Sequence, residues 1–246
     1  MPYEQFASNE LGKLFDIAIE RLKKRKSLFA VCYLIIVFYL SIPSFNIPFL
    51  KLSEIRVTSL MEQRAVEHEL LFYPQQSWIS INKVNPNFLK AVISIEDDDF
   101  FNHKGIDWNQ INKSLRINER RDKIVRGGST ITMQLAKNLY LSTSRNFFRK
   151  AKETIIALRM EKELSKKNIL ENYINIVEWG NGIFGIKKAS QIYFHKEPSS
   201  LTLDECARLA AVIPSPLEHA PNNNSNYVLR RSSTILDRLN NVELNF

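Results

Sequence analysis

Cysteine, histidine and glycine are scarce in this 246-residue chain, and each shortage excludes something. The two cysteines, Cys32 and Cys206, lie far apart in different contexts. Neither a disulfide framework nor a zinc site follows from them. The four histidines lack ligand spacing, and His68-Glu69 does not continue into H-E-x-x-H. Only 7 Gly and 9 Pro punctuate the sequence, with no low-complexity tract and no repeat of 20 to 50 residues. Most of the chain should therefore fold into a packed core. G-x-x-x-x-G-K-[ST] is absent, so no P-loop is encoded. Strand signals are few, limited to I-R-V-T-S (55 to 59) and L-F-Y (71 to 73). The class is mostly α.

What is present is positive charge, at a formal net +8. A surplus of that sign points to an anionic partner: nucleic acid, anionic lipid or a phosphorylated substrate. It is uneven, with nine Lys or Arg against three Glu between Lys137 and Lys167. Near the start, S-L-F-A-V-C-Y-L-I-I-V-F-Y-L-S-I-P (27 to 43) carries no charge, and apolar residues continue to Leu50. A membrane-spanning helix needs about 20 such residues, and R-L-K-K-R-K (21 to 26) is a cytoplasmic flank under the positive-inside rule. A cleaved signal or a buried core helix are the alternatives, but no small-x-small cleavage site follows. The expectation is a cytoplasmic segment 1–26, an anchor 27–50 and an extracytoplasmic domain 51–246, which removes nucleic acid as the anionic partner. Leu11, Leu14, Phe15, Ala18 and Leu22 line one helical face. It fits either an inner-leaflet helix or an extension of the anchor.

In the outer domain, Asn85-Pro86 marks a helix start. Leu89, Val92, Ile93 and Glu96 then follow at i, i+3, i+4 and i+7. Glu96 thus continues an apolar stripe and opens the acidic run Glu96 to Asp99, whose three aspartates fan out around the helix end. A carboxylate on a buried stripe has its ionised form disfavoured. Thr202-x-x-Glu205 is a capping box before a helix that Pro214 ends. Leu170, Tyr173, Ile174 and Val177 give another face before the glycines at 180 to 185. Gly127-Gly128-Ser129-Thr130 is either a plain loop or an anion cradle.

Four blocks stand together: E-D-D-D-F-F-N-H-K-G (96 to 105), R-G-G-S-T-I-T-M-Q-L-A-K-N (126 to 138), R-K-A-K-E (149 to 153) and I-L-E-N-Y-I-N (169 to 175). Their order and spacing, over roughly residues 85 to 221, closely resemble the peptidoglycan glycosyltransferases, glycosyltransferase family 51. The short single-anchor form is similar to the family's monofunctional members. The resemblance implies a lysozyme-like helical domain, with a small membrane-proximal jaw at roughly 106–126, preceded by one transmembrane helix. It also implies the reaction: lipid II is polymerised into β-1,4-linked glycan strands with inversion, releasing undecaprenyl diphosphate. Implied partners are lipid II, the growing glycan chain, the bacterial inner membrane and other cell-wall synthesis proteins.

The same resemblance carries roles residue by residue. Glu96 matches the catalytic glutamate, a general base. Lys137 and Arg145 match positions that stabilise the departing diphosphate, with Arg149 and Lys150 adding to them. Glu153 matches the second glutamate, which orients the site or balances those cations, with a structural salt bridge as the alternative. Ser129, Thr130 and Gln134 would line the cleft, and Asn138 would support it. Glu171, Asn175 and His103 read as structural. A divalent cation, Mg2+ or Mn2+, at the substrate diphosphate is compatible with this chemistry, and no protein-only cage for it is visible. Met133 stands where the family usually has Gln. The jaw segment has Trp108, Ile111 and Leu115 at i, i+3 and i+7, which fits an interfacial or a core-packed helix. Three rivals remain. An acyl-transfer enzyme lacks K-T-G; a lytic enzyme has no use for the basic surface; a non-catalytic scaffold is motivated by Met133.

Overall fold

The computed structural model describes residues 21, 23–42, 46–52, 54, 57–67, 77–121, 127–144 and 146–246, without the side chains of Asn118 and Arg121. Two compact units divide the chain, Met1–Pro43 and Ser44–Phe246. In the first, residues 23–40 form helix α1, and most of its apolar side chains, Phe29, Leu34 and Leu40 among them, are exposed. Among the described residues no helix is long and apolar enough to cross a membrane. The amphipathic face expected over 11–22 lies outside them apart from Arg21.

The second unit is helical, as its patterning predicts. Its helices are α2 (Ser59–Glu67), α3 (Pro86–Glu96), α4 (Trp108–Arg121), α5 (Ile131–Tyr140), α6 (Phe147–Glu163), α7 (Lys166–Ile176), α8 (Ile186–Phe194), α9 (Leu203–Val212) and α10 (Asn226–Arg238). Local chemistry explains where they start. Asn85 accepts from the Asn87 amide with Pro86 as first helical residue, so α3 begins where Asn-Pro predicts. Thr202 and Glu205 form the reciprocal capping box of α9, which runs to Val212, two residues short of Pro214.

Two packing groups meet around the end of α3. Helix α5 lies against α6, α7 and α2, while α9 lies against α3 and α10. The α3 face of Leu89, Val92 and Ile93 is buried, as are Ile131, Leu135 and Ala136 of α5. Trp179, fully buried three residues after α7, donates its indole N–H to the Leu209 carbonyl of α9 at 3.0 Å. Burial pushes the Cys206 thiol up to about 12, leaving it an inert core residue.

Strand readings fare less well. Ser59 begins α2 and Val57 and Thr58 are not extended in a sheet, so 55 to 59 is not a strand over its described part; 71 to 73 lies outside the described residues. The short hairpin present among them pairs Glu178–Gly180 (β1) with Ile183–Phe184 (β2) at the glycine break. Gly185 follows with φ +80°, and a Cβ there would stand 2.6 Å from the Asn175 carbonyl oxygen. Asn175 and Glu171 satisfy backbone groups, as expected of structural residues. Asn175 accepts from the Ile79 amide and donates to its carbonyl, and Glu171 accepts from the Ile81 amide at 2.8 Å.

Candidate active site

Glu96 is the last residue of α3, where the buried stripe meets a cavity of about 530 Å³. Gln134, Ser129, Gln110, Pro214 and Arg231 share the lining of that cavity with it. The carboxylate is half-buried, with one edge open to the cavity. Desolvation raises its pKa above the usual glutamate range, and the neighbouring Asp97 adds to the rise. Opposing it are a hydrogen bond from Gln134 and the charges of Arg231 and Lys137. The result is a carboxylate closer to ambient pH than an exposed one, as a base requires.

Its orientation is set by a relay from two other helices. Tyr173, fully buried on α7, donates its hydroxyl to Gln134 Oε1 at 2.9 Å. That bond turns the amide so that Gln134 Nε2 donates to Glu96 Oε2 at 2.7 Å. Burial holds the Tyr173 hydroxyl well above its ordinary pKa, so it stays a donor. Tyr173→Phe leaves the amide free to turn its oxygen toward the carboxylate. We expect kcat/KM to fall roughly tenfold, about 1.4 kcal/mol of transition-state stabilisation, with circular dichroism unchanged.

Asp97 departs from the expectation. Sequence spacing sets it apart from the apolar stripe, yet it is 1 % exposed, more deeply buried than Glu96. The chain leaves helical geometry at this residue, with φ −163° and ψ 74°, which turns the side chain inward. Its carboxylate accepts from the Ile131 amide at 2.9 Å and from His103 Nε2 at 2.9 Å. Gly105 N–H donates to His103 Nδ1 at 3.1 Å, so Nε2 carries the ring proton and donates to Asp97. Burial raises the Asp97 pKa against these bonds. His103 therefore orders the loop that pins α3 to the start of α5. Asp98 is exposed and Asp99 half-buried.

A cationic group gathers around Glu153, which is 2 % exposed on α6. Arg149 and Lys150, one turn earlier, both bond its carboxylate. Lys150 Nζ also donates to Ser129 Oγ at 2.7 Å, linking α6 to the glycine-rich segment. Lys137 stands on α5 one turn beyond Gln134. Burial lowers its pKa, Glu153 and Glu96 raise it, and Arg149 and Lys150 lower it. Glu153 thus sits among three cations, while Glu96 shares the field of Lys137.

The other residues read from the sequence fall into place unevenly. Thr130 is 2 % exposed; it caps α5 by accepting from the Met133 amide and donates to the Gly105 carbonyl at 2.7 Å. It is buried and is not among the residues that line the cavity. Asn138 is buried on α5. Arg145 lies outside the described residues. Met133 is buried in the core, so its side chain does not face the cavity and the missing amide takes nothing from it. In α4, Trp108 and Leu115 are 66 % and 61 % exposed, whereas Ser114 is buried and donates to the Gly127 carbonyl. Pattern reading missed Arg231 and Tyr173 as parts of the site. Tyr173 looks like an ordinary core aromatic, and Arg231 comes from a helix more than 130 residues after Glu96.

A family model described as Transglycosylase matches residues 51–240. The biosynthetic peptidoglycan transglycosylase of Janthinobacterium sp. (strain Marseille) is 41% identical over 170 residues, 69% of this chain and 74% of that one. The protein of the same name from Azoarcus sp. (strain BH72) is 46% identical over 145 residues, covering 59% and 63%. That from Dechloromonas aromatica (strain RCB) is 37% identical over 179 residues, covering 73% and 76%.

Proposed function

This chain belongs to the transglycosylase family and is an enzyme of peptidoglycan synthesis, and on that premise we propose that it polymerises lipid II into β-1,4-linked glycan strands with inversion. The observation that carries the reading is Glu96: a carboxylate kept basic by burial, oriented by the Tyr173–Gln134 relay, and open to a cavity. The C4 hydroxyl of the incoming unit gives its proton to Glu96 as its oxygen attacks the anomeric carbon of the growing chain. The bond to undecaprenyl diphosphate breaks on the opposite face. The departing diphosphate gathers negative charge, and Lys137, Arg149 and Lys150 supply fixed positive charge from α5 and α6. Such preorganised charge is usually the largest single contribution to a transfer of this kind. Arg145 would add a fourth cation.

Glu153 keeps that cation group together in the absence of substrate by bonding Arg149 and Lys150. Among the described residues no group of three or more His, Cys, Asp or Glu side chains is placed to hold a metal ion. A divalent cation would instead be carried by the diphosphate of the substrate, whose charge it would help to neutralise.

The reaction is tested with purified protein in detergent given lipid II. Glycan polymer on a gel, with undecaprenyl diphosphate released, supports the reading, and unchanged lipid II sinks it. The substrate is a membrane lipid, so the uncharged stretch 27 to 43 after R-L-K-K-R-K is read as a single N-in anchor. The exposed Trp108 and Leu115 then suit α4 to an interfacial seat beside the membrane. Protease added outside spheroplasts is expected to digest residues 51–246; protection of that part overturns the topology.

A further inference from the structure

The inward face of α10 follows the spacing i, i+3, i+4, i+7 through Val228, Arg231, Ser232 and Ile235. Val228, Ser232 and Ile235 are buried, and α10 packs on α9 and α3. An arginine at such a position is costly unless its charge is used. Arg231 is half-buried there, and three features fix it. Its Nε donates to the Ala211 carbonyl of α9 at 3.0 Å. Its guanidinium lies over the Tyr227 ring at 5.6 Å. Tyr227 is itself stacked on His219, with ring centroids 3.8 Å apart and planes 16° apart. The group so held lines the same cavity as Glu96.

From this geometry we propose that Arg231 is a positioning residue for the Glu96 carboxylate, an anchored positive charge that keeps the base ionised in its desolvated setting. The inference rests on the assignment of Glu96 as general base. Other groups also act on Glu96. Asp97 follows it in the chain, Gln134 and Lys137 reach it from α5, the neutral Tyr173 acts from α7, and Arg238 lines the same cavity. Among the charged ones, Asp97 raises the Glu96 pKa and Lys137 lowers it. Lys137 also lies in the field of Glu153 and the cations bonded to it, and burial disfavours its protonated form. Arg231 is anchored on α9 and not bonded to Glu153, so it serves Glu96 whether or not a diphosphate is bound.

The sign follows directly. Removing a positive charge beside a carboxylate raises its pKa, so the base is lost by protonation at a higher pH. In wild type, kcat/KM for lipid II falls on the acidic side as Glu96 of the free enzyme protonates. Arg231→Gln is expected to move that acidic limb up by about one pH unit. Activity then drops roughly tenfold on the limb and recovers at alkaline pH. Arg231→Lys, which keeps the charge, is expected to hold the limb close to wild type. Glu96→Gln is measured alongside and is expected to be inactive throughout.

The failures are distinguishable. Wild-type activity in Glu96→Gln overturns the base assignment itself. An inactive Glu96→Gln together with an unmoved limb and a raised KM in Arg231→Gln overturns this inference and makes Arg231 a substrate contact. Should Arg231→Gln not fold, Tyr227→Leu carries the test, because it leaves the arginine present but unstacked. A smaller shift in the same direction supports the proposal, and an unmoved limb overturns it.

Discussion

Glu96→Gln is expected to lower glycan polymerisation at least a hundredfold, the usual contribution of a positioned base, while making the domain more stable at neutral and alkaline pH. The two effects share one cause. Burial raises the folded-state pKa of Glu96 above its value in the unfolded chain. Between those two values the folded state binds more protons, so wild-type stability falls as pH rises through the folded-state pKa. Below the unfolded value that cost is absent. Glutamine carries no charge to desolvate and still offers Oε1 to the Gln134 amide, so the relay survives. The check is a urea midpoint for both proteins at pH 5 and pH 8, beside the lipid II assay. Wild type should lose stability between these pH values relative to the variant. A variant that is both active and equally stable at each pH would remove Glu96 from the chemistry and from the stability account.

The second large effect belongs to Glu153. Glu153→Gln removes the carboxylate that both Arg149 and Lys150 bond, next to a Lys137 whose charge it also supports. Breaking a buried pair from one side leaves cations in place with nothing to balance them. Lys150 is substantially open to solvent, which screens its share, and Arg149 is far less so. Together these give an expected loss of roughly 2–4 kcal/mol in unfolding free energy, read as a lower urea midpoint at constant slope. Activity should fall as well. Addition of inorganic pyrophosphate should restore part of the lost stability, because an anion can take the place of the carboxylate. A Glu153→Gln protein as stable as wild type would show that solvent alone balances the three cations.

Much of the architecture was legible because it is local. Helix starts at Asn85-Pro86 and Thr202-x-x-Glu205 depend on hydrogen bonds spanning three residues, and they form where those residues stand. The stripe Leu89, Val92, Ile93 turns inward because its spacing matches a helical face. The strand expected at 55 to 59 is absent over residues 57–59, because β-branched residues favour strands only when a partner strand is near. Ser59 instead begins α2, which packs against α5.

For the site, sequence alone determined which residue types are present in which order: Glu96 after an apolar stripe, Lys137 one turn past Gln134, and Arg149-Lys150 one turn before Glu153. Each of those relations spans at most a few helical turns. Only the tertiary structure decided that Asp97 is the deeper carboxylate, because a departure from helical φ and ψ at the end of α3 aims it at the Ile131 amide. Only the mutual packing of α3, α9 and α10 decided that Arg231 lines the same cavity as Glu96. Periodicity assigns a side chain to a face of its own helix. What stands opposite that face depends on how helices distant in the chain pack, and the field at a carboxylate is the sum over those neighbours.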